Sequence, residues 1–122
     1  MKINIKKAYS IFKKEENQHG LNFLIRIHFS HSIFEGHFPE KPILPGVIMC
    51  TIIKDLISET LGIDIQLKKA KNIKFLKMIT PDKNNLFNVN LLIKKEGNYN
   101  IKAVITKNKE IYFKLNGEYK KR

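Results

Sequence analysis

Several residue types are nearly missing from this sequence, and each shortage excludes something. There is no tryptophan, and the only cysteine is Cys50. One thiol cannot build an internal disulfide framework, which points to a reducing, cytoplasmic compartment. Arginine is scarce as well: of 23 basic residues, only Arg26 and Arg122 carry a guanidinium. The chain has no arginine-rich helix, no RNP-like aromatic motif and no zinc spacing, so no nucleic-acid partner is expected. No apolar run approaches the roughly 20 residues of a membrane-spanning helix. The opening stretch MKINIKKAYSIFKKEE has lysines but no apolar core, so no signal peptide and no membrane association are expected.

What is present is an ordinary globular composition, 43% hydrophobic and 28% charged over 122 residues. That length suits one domain, 1–122, with a core but little to spare. The formal net charge is +12. Its lysines are spread along the chain and often alternate with apolar residues, as in KKAKNIKFLK (Lys68 to Lys77), the pattern of solvated strand faces. Such a surface would attract an acidic protein or an anionic cofactor before nucleic acid.

Strand periodicity dominates. In HGLNFLIRIHF, Leu21, Phe23, Ile25, Ile27 and Phe29 share one face, with Asn22, Arg26 and His28 on the other. Four later runs repeat this. Ile73 and Phe75 alternate with lysines, and Phe87, Val89, Leu91 and Ile93 alternate with polar residues. Tyr99, Ile101, Ala103 and Ile105 follow, then Ile111, Phe113, Leu115 and Tyr119, with turns at PDKNN, KEGN and KNKE. A shorter segment around Tyr9 to Lys14 completes about six strands. One helix stands among them, from Pro45, suited to a first helical position, to Gly62, suited to the residue past the end. Val47, Ile48, Met49, Cys50, Ile52 and Ile53 are apolar nearly all round, predicting a first half buried on every side. A polar stripe runs through Thr51, Lys54, Asp55, Ser58 and Glu59. A mostly antiparallel sheet wrapped round one buried helix is an α+β architecture. Its open edges favour edge-to-edge dimerisation.

The segment before the helix, SIFEGHFPEKPILPGV, cannot be helical, because Pro39, Pro42 and Pro45 each push the preceding residue to extended conformations. It reads as a rigid loop that fixes where His37 points and feeds into the helix. Free N–H groups near Gly46 and Val47 can hold a carbonyl oxygen that gains negative charge. A histidine beside such a helix start suits proton abstraction next to an activated carbonyl.

Gly36-His37-Phe38-Pro39, Lys41-Pro42 and Pro45-Gly46-Val47 together resemble the G-H-F-P-x-x-P-x-x-P-G-V signature of hotdog-fold β-hydroxyacyl-(acyl-carrier-protein) dehydratases of the FabZ type. The resemblance implies a hotdog fold and elimination of water from a β-hydroxyacyl thioester to give the trans-2-enoyl thioester. It also implies acyl carrier protein as the acidic partner, no metal or redox cofactor, and a dimer whose acyl tunnel lies at the subunit interface. His37 matches the family's catalytic histidine, which handles the α-proton, and Gly46 the backbone donor to the thioester carbonyl. Val47, Phe38 and Phe34 are the accompanying substrate-binding candidates, the two phenylalanines at the tunnel mouth.

One position departs from the pattern. The family carries a Glu or Asp fourteen positions after the histidine, and here that position is Thr51. A threonine hydroxyl cannot protonate a leaving hydroxyl as a carboxylic acid does, though it can position a water. Asp55 lies one turn further along the same stripe, about 5–6 Å along the axis, a gap its short side chain is not expected to close. Loss of a positioned general acid costs roughly 100- to 10,000-fold in rate. Three readings stay open: a divergent working dehydratase; an impaired subunit completing a site with an acid-bearing hotdog partner; and an acyl-thioester binder or thioesterase. Other candidates are weaker. His28, His31 and His37 do not make a metal set, because no Cys or Asp pair completes it. His19 falls in a turn, Glu35 reads as solvated, and Cys50 reads as a small buried hydrophobe.

Overall fold

The computed structural model describes residues 8–18, 20–28, 46–79 and 85–122. His37, Phe34 and Phe38, with Gly36 and Pro45, lie outside the described residues, as do His19, Phe29 and His31.

Among the described residues, six strands form one sheet and there is one helix. The strands are β1 (Tyr9–Asn17), β2 (Gly20–Ile27), β3 (Ile65–Phe75), β4 (Leu86–Glu96), β5 (Asn98–Lys107) and β6 (Glu110–Lys121), and the helix α1 (Gly46–Leu61) lies between β2 and β3 in sequence. The sheet order is β1-β2-β4-β5-β6-β3. Every pairing is antiparallel. The α+β architecture expected from the strand pattern is the one observed.

Alternation along β2, β4, β5 and β6 puts apolar side chains on one face, and register lines them up. Phe23 opposes Val89, Val89 opposes Ile105, and Ile105 opposes Phe113, all buried. Leu21, Leu91, Ala103 and Leu115 make the next row. Such cross-strand pairs set the register, because a one-residue slip would turn the whole row to solvent. The β5–β6 turn fits this frame: Asn108 and Lys109 both take left-handed backbone, with φ 50° and 65°, the hand that matches the twist of a two-residue hairpin.

Helix α1 completes the core. Ile48, Met49, Ile52, Ile53, Leu56 and Ile57 recur at three- and four-residue steps and are buried in one cluster with the inner face of the sheet. Gly62 ends the helix in left-handed conformation (φ 69°), and its N–H donates to the Ser58 carbonyl at 2.8 Å.

Two expectations need correction. The first half of the helix is not buried on every side: Val47 is 69% exposed, and Cys50 and Thr51 are partly exposed. A single sheet covers one side of a helix, so the opposite flank stays open whatever its composition. Phe75 and Ile111 also fail to bury; Phe75 is 57% exposed. Phe75 ends the edge strand β3, where no further strand among the described residues covers it, and it leans on Phe113 with ring centres 5.2 Å apart.

Leu56 is fully buried mid-helix. Leu56→Ala should therefore cost about 2–5 kcal/mol in denaturant unfolding. A loss under about 1 kcal/mol would mean that the helix is not seated on the sheet.

Candidate active site

The start of α1 is shaped by what lies against it. A Cβ at Gly46 would sit 2.4 Å from Cε1 and 2.6 Å from Cζ of Phe75. The Phe75 ring therefore occupies the space a side chain would take, and glycine lets ring and helix start meet. Val47 follows, turned to solvent. The first four N–H groups of an α-helix have no partner inside it and carry the positive end of its dipole. No acidic residue stands in the first turn to neutralise that end. This is an arrangement that can accept an electron-rich oxygen.

Thr51 lies one turn into the helix. Its hydroxyl donates to the Val47 carbonyl at 2.7 Å. The Thr51 proton is thereby committed to the helix backbone, leaving the oxygen able to accept but the group without a proton to give. The same bond occupies the carbonyl of a residue in the first turn, so Thr51 braces the helix start.

Asp55, one turn on, is tied elsewhere. The Tyr9 hydroxyl of β1 donates to Asp55 Oδ2. Burial, then the hydrogen bond to Asp55, then the negative charges of Asp55 and Glu59, raise the Tyr9 pKa well above its ordinary value, so Tyr9 stays a donor. Tyr9, Ser10, Ile11, Asp55 and Glu59 line a cavity of about 240 Å³ between β1 and the helix. His28 Nε2 and Ser10 Oγ meet at 3.0 Å beside it. Asp55 thus latches the edge strand β1 to the polar flank of α1. Sequence reasoning missed Tyr9 as its partner, since a contact across 46 residues leaves no local signal. It also missed Phe75 at Gly46, because alternation with lysines reads as a strand face and not as a lid on a helix end.

Cys50 is half-buried on the helix, and burial pushes its thiol pKa up, which keeps it protonated and poorly nucleophilic. Tyr119 of β6 is pushed up to about 12, first by burial and then by the proximity of Cys50. Both groups fit a packing role.

Of the residues singled out from sequence, Gly46, Val47 and Thr51 come together at one helix end. An antiparallel six-stranded sheet packed on one such helix is the hotdog arrangement that the signature implied. The ApeI-like family (ApeI dehydratase) matches residues 13–116, and the chain belongs to that family. The chain is also similar to the 3-hydroxyacyl-acyl-carrier-protein dehydratase FabZ of Thermotoga petrophila, 30% identical over 99 residues, 74% of this chain and 69% of the relative. The FabZ of Clostridium acetobutylicum is 37% identical over 60 residues, 43% of each chain, so the similarity spans less than half the length of that relative. Among solved structures, a chain of the dehydratase heterocomplex ApeI:P from Xenorhabdus doucetiae superposes with a TM-score of 0.69, covering 92% of this chain and 97% of that one at 18% identity.

The Tyr9–Asp55 latch sets an alkaline limit. Because folding raises the Tyr9 pKa above 10.0, folded and unfolded chains hold the proton equally below pH 10. Above it the unfolded chain loses the proton first, so stability falls as pH rises. Tyr9→Phe should lessen that fall. At neutral pH it should cost about 1–3 kcal/mol and speed amide exchange in β1, read by hydrogen exchange. Unchanged β1 exchange and an unchanged alkaline slope would show that the latch does not hold.

Proposed function

We propose that this chain, acting as one hotdog domain, removes water from a β-hydroxyacyl group carried as a thioester on acyl carrier protein, giving the trans-2-enoyl thioester. The observation that carries the reading is family membership over residues 13–116, joined to a glycine-started helix end where the family's signature places its carbonyl site. In this scheme the thioester carbonyl docks on the Gly46 and Val47 N–H groups, which stabilise the enolate-like oxygen as negative charge builds. His37 takes the α-proton. Phe34 and Phe38 border the acyl chain. The lysine-rich surface, part of a net charge of +12, suits an acidic carrier protein.

Departure of the β-hydroxyl then needs a proton. Thr51 occupies the position of the family's acid, but its own proton is given to the Val47 carbonyl. Asp55 is engaged by Tyr9. This favours a second reading, in which the chain pairs edge to edge with another hotdog subunit that brings the carboxylate, each site being shared between the two. That a relative in fold is a chain of a dehydratase heterocomplex supports it.

Purified protein, alone and mixed with candidate hotdog partners, should be offered a β-hydroxyacyl thioester and followed by the absorbance of the conjugated enoyl product. His37→Ala should abolish turnover, and activity persisting in that variant would discard the assignment. Thr51→Glu should raise the activity of the chain alone by about 100-fold or more if the missing acid is the limit. No gain from either the substitution or a partner would contradict the shared-site reading, and thiol release from a plain acyl thioester would mark a thioesterase instead.

A further inference from the structure

The two outer strands of the described sheet, β1 and β3, carry different charge. In β1, Lys13 and Lys14 are balanced by Glu15 and Glu16, with a Lys13–Glu15 ion pair at 2.7 Å. In β3, Lys68, Lys69, Lys71 and Lys74 fill four of the seven positions from 68 to 74, and the strand has no acid. Register against β6 skips at Lys68 and at Lys71, so these two are the extra residues of two bulges. Among the described residues, one carboxylate answers them: Glu118 of β6, 3.6 Å from Lys68. Its carboxyl lies below the usual carboxylate range, held there first by the Asn98 amide and then by Lys68 and Lys71, so it stays charged. The remaining lysines are in excess.

Lysines and bulges alone would suit an edge that merely repels other strands. Here they are bracketed by exposed apolar side chains. Leu67 is 43% exposed at one end; Phe75, Leu76 and Met78 are 57%, 53% and 66% exposed at the other, with the Phe75 ring against Gly46 at the helix start. An apolar surface interrupted by single-sign charge is a surface that selects what covers it.

We propose that the β3 edge disfavours a second copy of this chain and accepts an acidic edge strand of a different subunit. A two-fold dimer brings the same patch against itself. Wherever the two-fold axis falls between Lys68 and Lys74, an antiparallel β3–β3 pairing sets a lysine of one copy opposite or diagonal to a lysine of the other, which is destabilising across strands. A strand with Asp or Glu at those positions turns each repulsion into a pair while the apolar ends close over one another. The inference rests on the shared-site reading above and names the chemistry of the partner it calls for.

Self-association of the wild-type chain should be measured by analytical ultracentrifugation at low and high sodium chloride. Screening should strengthen it, by about tenfold or more between roughly 20 and 500 mM salt. The neutralised variant Lys69→Gln/Lys74→Gln should self-associate more tightly than wild type at low salt, which separates charge from any general salting-out. Wild type mixed with Lys69→Glu/Lys71→Glu/Lys74→Glu should form a mixed dimer about tenfold tighter than either alone, and salt should weaken it. If the triple variant proves unfolded by circular dichroism, the first two measurements decide. Wild-type self-association that is insensitive to salt or weakened by it, with no gain on neutralisation, overturns the proposal. That outcome would leave His37-dependent turnover untouched, whereas loss of the dehydratase reading would appear in turnover and not in the salt dependence.

Discussion

The seating of one apolar helix stripe on the apolar face of one sheet governs this molecule. Ile52, Ile53, Leu56 and Ile57 are fully buried against rows built from Phe23, Val89, Ile105 and Phe113. Area-proportional burial of this kind is the main term holding such a domain together. It also fixes the rotation of the helix. With that stripe inward, Val47 is forced outward and Thr51 and Asp55 fall on the uncovered flank, where each takes a partner of its own. The helix end at Gly46 is held against Phe75 by the same seating.

That geometry makes the proposed chemistry uneven. In the proposed reaction, accepting a carbonyl oxygen would need only backbone donors and a close approach, and the glycine-started end of α1 suits that role. Giving a proton to a leaving hydroxyl needs an acid, and the two polar groups nearest on the stripe are committed: Thr51 to the helix backbone, Asp55 to Tyr9. Among the described residues, the proposed reaction would thus find a group to polarise the carbonyl at the helix start but no free acid on the Thr51–Asp55 stripe. The uneven charge of the sheet edges bears on the same point, since a β3 whose charged side chains are all lysine would, on the proposal above, find its complement more readily in another sequence than in itself.

Much of the fold was legible because period-two alternation is a direct consequence of one buried face, and the runs Leu21 to Ile27, Phe87 to Leu91, Ile101 to Ile105 and Phe113 to Tyr119 obey it. Gly62 as the helix stop was equally readable, since left-handed backbone favours glycine. The misreadings share a cause. Val47 and Phe75 look like core residues by composition, but their exposure is set by where the sheet ends, which no local pattern encodes. Of the candidate site, Gly46, Val47 and Thr51 were found through a short motif, whereas the Tyr9–Asp55 latch and the Phe75 ring at Gly46 depend on contacts distant in sequence. His37, Phe34 and Phe38 lie outside the described residues and keep their roles as proposals.

The proposed carbonyl cradle is most directly tested by isotope-edited infrared spectroscopy of a bound, carbonyl-labelled β-hydroxyacyl thioester, using His37→Ala to prevent turnover. Two backbone donors at a helix N-terminus should shift the carbonyl stretch to lower frequency than in water, and Gly46→Val should reverse the shift. A saturated complex whose carbonyl stretch matches the free thioester would contradict the account.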